Sequence, residues 1–175
     1  MNSSVPVAPP LTNCMPAELL ASPAFLLARL GIAIKMRAFE EFEQAGFSPY
    51  HHSVLALLDE GARDTQSAIA DALQLNRSQL VGILDALEEH QLIERRADPN
   101  DRRRHVVSLT PAGREQLAEF RTITTRIESE FLAPLDSADR AGLHAMLARL
   151  AAHHDPRYVG DSRFQPCEAE IAPIS

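Results

Sequence analysis

Residues 76–113, NRSQLVGILDALEEHQLIERRADPNDRRRHVVSLTPAG, contain the pattern that decides the fold. Asn76 is an N-cap residue, and Gln79 stands three positions later, which is the spacing of a capping box. Apolar residues then recur at the helical spacing: Leu80, Ile83, Leu84 and Leu87. The stretch therefore begins with an amphipathic helix whose apolar face packs against a core.

Two short β-prone runs follow this helix, at residues 92–96 and 105–109. The segment between them combines the turn formers Asp, Pro and Asn with three consecutive arginines. This pattern predicts a β-hairpin with a basic tip. Thr110 and Pro111 come directly after the second run and form the cap-plus-proline signal of a helix start.

Helices are also predicted on both sides of this stretch. Ser48 and Pro49 begin one helix, and Thr65 caps a short one just before the quoted residues. A short helix, a tight turn, a second helix and a charged hairpin form a winged helix-turn-helix, whose second helix enters the major groove of DNA. Longer helices are predicted to flank this unit, at residues 23–47, 111–132 and 137–153. The predicted fold class is mainly α with a small β-hairpin wing.

The helix predicted over residues 23–47 carries apolar side chains on more than one face. A helix that is apolar on most sides is buried on most sides. In a chain of 175 residues, we expect such a helix to pack between its own domain and a second subunit.

The composition is that of an ordinary globular protein. Hydrophobic residues make up 45% of the chain, which is enough for a core without disulfides. Cys14 and Cys167 lie near opposite ends, which argues against a disulfide framework. The sequence shows neither a signal peptide nor a run of about 18 apolar residues. We therefore expect a cytoplasmic protein with no membrane partner.

The charge is unevenly distributed along the chain. A net charge of −7 argues against a nucleic-acid partner, because phosphate binding depends on Lys and Arg. Residues 95–114, however, hold six arginines against two aspartates, a net +4 that leaves −11 elsewhere. Arginine grips a phosphate or a guanine edge with two hydrogen bonds, and Lys35 is the only lysine. The distribution therefore favours double-stranded DNA as a partner.

The candidate DNA contacts lie on the two short helices and the hairpin. Gly82, on the outward face of the second helix, suits a close approach to another molecule. The predicted contacts are Gln66, Ser67, Asn76, Arg77, Ser78, Gln79, Val81, Gly82, Arg95, Arg96, Asp101, Arg102, Arg103 and Arg104. A capping role stays open for Gln79, and a solvated charge cluster is the alternative for the arginines of the tip. Arg95 and Arg96 are strand neighbours that point to opposite faces, so one is structural and the other faces phosphate.

These residues resemble the MarR family of bacterial transcriptional regulators. The motifs that carry the resemblance are SQLVGILDALE (78–88), LIER (92–95), DPNDRR (98–103) and LTPAG (109–113). In element order the resemblance extends over residues 25–153. Gln74 departs from the family pattern, because members often place glycine in the turn between the two helices. We therefore expect a slightly strained or altered turn at Gln74.

The resemblance implies a homodimer with two DNA-binding lobes and an intertwined dimerisation region. By the family pattern, Asp101 would orient Arg103 and Arg103 would enter the minor groove, whose negative potential attracts arginine. The dimer would read a pseudo-palindrome with half-sites about one helical turn apart. The implied division of the chain is a flexible tail (1–22), a dimerisation helix (23–47), the winged helix-turn-helix DNA-binding domain (48–114), dimerisation helices (115–154) and a C-terminal tail (155–175).

The resemblance also implies a repressor that a small-molecule effector, commonly a phenolic or aromatic carboxylate, releases from its operator. Arginine or histidine can pair with such a carboxylate. The candidate ligand residues are Arg29, Arg37, Tyr50, His51 and His52. The alternative is that the arginines are surface charges of the first long helix and that His51 and His52 belong to an ordinary helix N-terminus. No cofactor is predicted.

Two other regulatory classes stay open. A redox sensor would use Cys14, although this residue lies in a proline-flanked tail with no cation near it in sequence. A metal sensor would use the histidine pairs 51–52 and 153–154, although adjacent helical residues point about 100 degrees apart and seldom share a metal. The sequence predicts no enzyme, because it holds neither a phosphate-binding glycine cluster nor a nucleophile motif.

Overall fold

The computed structural model of the protein describes residues 14–61, 65–97 and 105–158. The helices are α1 (Ala17–Leu20), α2 (Pro23–Gln44), α3 (Pro49–Asp59), α4 (Gln66–Leu73), α5 (Arg77–Glu89), α6 (Pro111–Phe131) and α7 (Ser137–His154). The strands are β1 (Ile93–Ala97) and β2 (His105–Leu109), and a 3₁₀ turn at Pro156–Tyr158 follows α7. This order confirms the predicted fold class, mainly helical with a two-stranded wing.

The chain divides into two compact units, residues 1–49 and 50–175, which we describe separately. In the first unit, α2 starts where the sequence predicts. The Ser22 hydroxyl accepts a hydrogen bond from the Phe25 amide at 3.3 Å, and Pro23 occupies the first turn. Within the segment predicted as a tail up to residue 22, residues 17–20 form the short helix α1.

α2 ends three residues earlier than predicted because Gly46 adopts a left-handed conformation. Its φ is +78°, and the Phe47 amide donates to the Phe42 carbonyl at 3.0 Å, as in a Schellman cap. Phe42 is fully buried, whereas other large apolar side chains of α2 are exposed. These exposed side chains are Leu26, Leu27, Leu30, Ile32, Met36 and Phe39. The helix therefore carries more apolar surface than its own chain covers.

The core of the second unit is built from α3 to α6 and the hairpin. The predicted inward face of α5 is confirmed, because Leu80, Leu84 and Leu87 are buried and Ile83 is half-buried. The other elements supply the remaining buried apolar side chains: Val54, Leu55, Ile69, Leu92, Ile93, Val107, Leu117, Phe120 and Ile127. Full burial of a leucine stabilises the fold by roughly 1.5–3 kcal/mol, so this face fixes the orientation of α5.

The hairpin pairs β1 and β2 in antiparallel register, with Ile93 opposite Leu109 and Arg95 opposite Val107. Opposed residues of an antiparallel pair share a face. Arg95 therefore lies on the face that holds the buried Ile93 and Val107, and Arg96 lies on the other face.

The LTPAG motif fastens the start of α6 to the turn before β1. The Thr110 hydroxyl accepts from the Gly113 amide at 2.9 Å and donates towards the Gln91 carbonyl at 2.8 Å. A Cβ added to Gly113 would lie 2.0 Å from the Leu92 carbonyl oxygen. Glycine is therefore required at residue 113 by the close approach of another backbone.

α7 begins at a predicted position, with the Asp136 carboxylate accepting from the Asp139 amide at 2.8 Å. It buries none of its residues and exposes Met146, Leu147 and Leu150. Among the described residues, no helix has the length and apolar character needed to span a membrane.

Candidate nucleic-acid interface

A capping box holds the N-terminus of α5. The Asn76 side chain accepts from the Gln79 amide at 2.9 Å, and the Gln79 side chain accepts from the Asn76 amide at 3.2 Å. The Ser78 hydroxyl donates to the same Asn76 oxygen at 2.8 Å. Gln79 is therefore a capping residue, and all three side chains are preordered at the end of the helix.

The outward face of α5 is accessible beyond this cap. Arg77, Gly82 and Asp85 are exposed, and Val81 is half-buried. A Cβ at Gly82 would meet no other atom within 4 Å. Packing within the protein therefore does not require glycine there, although glycine costs a helix about 1 kcal/mol relative to alanine.

α4 is the helix that supports α5. The Thr65 hydroxyl accepts from the Ala68 amide at 3.3 Å, as the sequence predicts, and Ile69 anchors the helix in the core. Ser67 is exposed and Gln66 is half-buried. Both predicted α4 contacts thus lie in its first turn.

The turn from α4 to α5 contains a left-handed glutamine. Gln74 has φ +53° and ψ +36°, and the Leu75 amide donates to the Ala70 carbonyl at 3.0 Å. Glutamine thus occupies a conformation that favours glycine, which fits the slight strain expected at this position.

Arg95 connects the wing to α5. Its Nε donates to Glu88 at 2.8 Å, and its terminal nitrogen contacts both Glu88 and Asp85, the latter at 2.7 Å. The hydrogen bond from Arg95 holds the pKa of the Glu88 carboxyl below its usual range. The bonds to Glu88 and Asp85 in turn raise the pKa of Arg95. Arg95 is thus the member of its pair with a structural role.

Arg96 is the accessible member of the pair. Its side chain is 74% exposed and contacts Glu94 at 2.8 Å, whereas the Arg95 side chain is 21% exposed. The Ser108 hydroxyl on the opposite strand also donates to Glu94, at 3.2 Å. The arrangement agrees with the expectation that the two arginines point to opposite faces.

The basic tip of the wing lies outside the described residues. It contains four of the predicted DNA contacts: Asp101, Arg102, Arg103 and Arg104. The described strands end at Ala97 and begin again at His105, which lie opposite each other.

The predicted ligand residues lie in both units. Arg29 and Arg37 lie eight positions apart on α2, about 12 Å along the axis. Arg37 also pairs with Glu41 at 2.9 Å. Tyr50 and His51 are half-buried at the start of α3. These positions stay predicted ligand contacts.

His52 differs from its neighbours in its surroundings. Its ring meets Phe120 edge to face, with 6.2 Å between the ring centroids. Burial, together with the positive charge of Arg121, lowers the pKa of His52 below its usual range. Both effects favour the neutral form of the imidazole.

A groove along α6 was not predicted. It has a volume of about 410 Å³ and is lined by Arg121, Thr122, Thr125, Arg126 and Ser129. Arg121 is 57% exposed and pairs with Asp59 of α3 at 2.8 Å. In the sequence these residues look like an ordinary solvated helix face, and only their spacing of four hints that they share a surface.

The metal and redox alternatives gain no support from the described part of the chain. Within it, no three His, Cys, Asp or Glu side chains come close enough to hold a metal ion. His153 and His154 contact each other edge to face, with 5.1 Å between centroids. Cys14 is an exposed free thiol, and Cys167 lies outside the described residues.

Two helices joined by a tight turn, with a hairpin tied to the second helix, define a winged helix-turn-helix protein. The model of the MarR family matches residues 47–105. A putative transcriptional regulatory protein for the hcr operon of Thauera aromatica is 33% identical over 121 residues, which cover 66% of this chain and 73% of that protein. The chain belongs to the MarR family.

Solved structures agree with this assignment. The transcriptional repressor CouR bound to a 23-mer DNA duplex is 32% identical with a TM-score of 0.69, covering 80% of this chain and 99% of that one. CouR from Rhodococcus jostii RHA1 bound to p-coumaroyl-CoA is 27% identical with a TM-score of 0.65, covering 79% and 95%. The protein is thus a MarR-type DNA-binding transcriptional regulator and not an enzyme.

Proposed function

We propose that this regulator is a homodimeric repressor that binds a pseudo-palindromic operator and leaves it when an aromatic effector binds. The observation that carries the proposal is the exposed, capped first half of α5 beside a hairpin with an arginine-rich tip. The N-terminal residues of a recognition helix contact base edges, and arginine enters a narrow minor groove.

Each predicted contact has a place in this proposal. Arg77 and Ser78 face the major groove, and Arg96 faces a phosphate. Arg103, oriented by Asp101, enters the minor groove. The remaining proposed contacts are Gln66, Ser67, Asn76, Val81, Gly82, Arg102 and Arg104. Gln79 caps α5 and Arg95 holds the wing against it.

The exposed apolar surface supports a homodimer. α2 presents six large apolar side chains to solvent, and α7 presents three more. Large apolar side chains exposed along a helix mark an interaction site, since burial of apolar surface stabilises by about 25 cal/mol per Å². We assign residues 23–47 and 115–154 to the dimer interface and residues 48–114 to DNA.

The effector we propose is an aromatic acid or its coenzyme A thioester. CouR, a relative over most of this chain, has been solved with p-coumaroyl-CoA. The α6 groove supports an anionic ligand, because two guanidinium groups and three hydroxyls line it. The neutral, partly buried His52, close to Arg121, would contribute an apolar wall or one hydrogen bond.

Random-site selection followed by a mobility shift tests the DNA-binding proposal. The protein should enrich a pseudo-palindrome, and that motif should occur upstream of its own gene. Arg77→Ala should change the enriched sequence, whereas Arg103→Ala should weaken binding to all sequences. Enrichment of no motif would contradict the proposal, and wild-type binding by Arg103→Ala would show that the wing is wrongly assigned.

Adding candidate effectors to the protein–operator complex tests the ligand class. p-Coumaroyl-CoA, p-coumarate and free coenzyme A separate the contribution of the aromatic group from that of the phosphates. We expect release by an aromatic compound, a weaker effect on Arg121→Ala, and an unchanged effect on the control Arg149→Ala, which removes an exposed arginine from α7. Equal release of wild type and Arg121→Ala would remove the α6 groove from the site.

A further inference from the structure

The segment after α7 reaches the turn between α4 and α5. The Gln74 side-chain amide donates to the Asp155 carboxylate at 3.4 Å. Arg157 donates to the same carboxylate through Nε, at 2.9 and 3.1 Å, and to the Asp71 carbonyl through Nη1, at 2.9 Å. We call these four residues, Asp71, Gln74, Asp155 and Arg157, the C-terminal clamp.

The clamp satisfies groups that a helix end leaves open. The Asp71 carbonyl is among the last four of α4, which have no partner within the helix. A cation beside them is favoured by the helix dipole. Arg157 therefore caps α4 from a residue 86 positions away in the sequence.

The clamp also holds the backbone position that directs α5. Only residues 74–76 separate α4 from α5, so their dihedral angles set the direction of the recognition helix. Gln74 occupies the left-handed region, where a side chain is strained and persists only if its surroundings hold it. Glycine would relieve the strain but could not reach Asp155.

Asp155 is itself tied to both Arg157 and the end of α7. Its hydrogen bonds from Arg157 hold the pKa of the carboxyl below the usual range. Its backbone amide donates to the Ala151 carbonyl at 2.9 Å, so the carboxylate sits directly on the end of α7. The last turn of α7 and the turn before α5 are therefore parts of one hydrogen-bonded network.

We propose that Asp155 and Arg157 are positioning residues for DNA recognition, which act through Gln74 to hold α5 at the angle that fits the major groove. The inference rests on the proposed DNA interface and adds a connection to it. A displacement of α7 would be transmitted to α5 through the clamp, without contact between α7 and DNA.

The test compares Gln74→Gly, Arg157→Met and the control Gln91→Gly in the full-length protein. Gln91 is also left-handed, with φ +59°, but it ends α5 and lies outside the clamp. Binding to the selected operator and to a scrambled duplex is measured by fluorescence anisotropy, and stability is measured by thermal melting. A rescue variant combines Gln74→Glu with Asp155→Asn, so that the acceptor and the donor of the hydrogen bond exchange positions. It is compared with Gln74→Glu alone, in which two carboxylates face each other.

We expect both clamp variants to lose about tenfold in operator affinity, the scale of coupling through a contact network, with little change on the scrambled duplex. Gln74→Gly should not melt earlier than wild type, because glycine relieves the strain. Gln91→Gly should bind the operator as wild type does, and the double variant should recover affinity relative to Gln74→Glu.

Three results would overturn the proposal. Operator affinity of both clamp variants within about twofold of wild type would show that the clamp does not position α5. Equal losses for Gln91→Gly, or losses that follow unfolding, would show a role in stability alone. If wild-type protein fails to distinguish operator from scrambled duplex, the proposed function falls first and the clamp proposal falls with it.

Discussion

At the scale of single residues, two glycines near the proposed DNA surface differ in the space around them. Gly113 is fixed by packing, because any side chain there would overlap the Leu92 carbonyl. Gly82 has open space around it on the exposed face of α5. Packing within the protein explains the first glycine but does not require the second, for which we propose a close approach of DNA.

Gly82→Ala should separate stability from DNA binding. Alanine should stabilise α5 by about 1 kcal/mol, because it removes the entropic cost of glycine in a helix. If DNA approaches this backbone closely, the added methyl group should lower operator affinity about tenfold, which corresponds to 1.4 kcal/mol. Urea unfolding and anisotropy titration measure the two effects.

Gly142→Ala is the matched control for this prediction. Gly142 lies on α7, also with no atom within 4 Å of an added Cβ. It is compared in urea unfolding alone, because α7 belongs to the proposed dimer interface, and it should stabilise its helix by a similar amount. Tighter or unchanged binding by Gly82→Ala would contradict a close approach of DNA to α5.

His52 should make stability depend on pH near neutrality. Its pKa in the folded protein is below the usual range, through burial first and the charge of Arg121 second. The unfolded chain therefore takes up a proton more readily, so stability is lost as the pH falls through about 6.5, the value for an unfolded histidine.

The comparison is between wild type and His52→Phe, which keeps an aromatic ring beside Phe120 but cannot titrate. Melting temperatures from pH 7.5 to pH 5.5 should fall less in the variant than in wild type. Parallel pH profiles would show that His52 does not contribute. The other histidines are common to both proteins and cancel in the difference.

At the scale of elements, residues close together in sequence predict where helices and strands begin. The contacts that orient these elements join residues far apart in sequence. Thr65, Asn76 and Thr110 cap their helices as the sequence predicts, because a cap involves residues only three positions apart. The hairpin strands likewise lie within a residue of their predicted positions.

The contacts that orient these elements could not be predicted from the sequence. Arg95 pairs with residues 7 and 10 positions away, and the spacing alone does not show which strand face it occupies. The bond between Gln74 and Asp155 joins residues 81 positions apart. Such pairs depend on how helices pack, and no local pattern encodes them.

Arg95→Met should loosen the wing from α5. Methionine keeps much of the apolar stem but loses the bonds to Glu88 and Asp85. Since the pair is partly exposed, the loss of stability should stay below about 1 kcal/mol. Operator affinity, measured by anisotropy, should fall because the wing is no longer held against α5. Arg96→Met is the control for unfolding stability, because the Arg96 side chain is mostly exposed.

The pH dependence of this effect has a definite sign. The folded pKa of Glu88 is lowered, so the pair contributes stability fully above the unfolded glutamate value of about 4.3 and loses it as the pH falls through the lower folded value. The stability difference between wild type and Arg95→Met should therefore be constant near neutrality and shrink in acid. A difference that grows in acid would contradict this pairing.

At the scale of the whole molecule, the net charge argues against binding to DNA, whereas the distribution of charge favours it. The chain carries −7 overall, yet the segment from residue 95 to residue 114 carries +4. A homodimer would present two such segments. The acidic remainder should limit non-specific binding and leave contact with DNA to a few arginines.

Leu30→Glu should break the proposed dimer. Leu30 is 53% exposed on α2, so a single chain tolerates the change, but a charge buried at a subunit interface is strongly unfavourable. Light scattering should report a monomer, and operator binding should weaken because each half-site is then bound alone. Glu40→Gln, at an exposed polar position of the same helix, is the control and should stay dimeric. A dimeric Leu30→Glu protein would remove this face of α2 from the interface.

Whether this chain reads DNA through α5 and its wing is tested by the salt dependence of operator binding, measured for wild type, Arg103→Ala and Arg103→Lys. The proposal predicts that wild type prefers the operator to a scrambled duplex by at least about 10³-fold. It also predicts that the slope of log affinity against log salt falls by about 2 per dimer in Arg103→Ala, one charge from each wing, while Arg103→Lys keeps the slope but binds more weakly. Absence of operator preference in wild type, or an Arg103→Ala protein with the affinity and slope of wild type, would contradict the claim that this chain reads DNA through α5 and its wing.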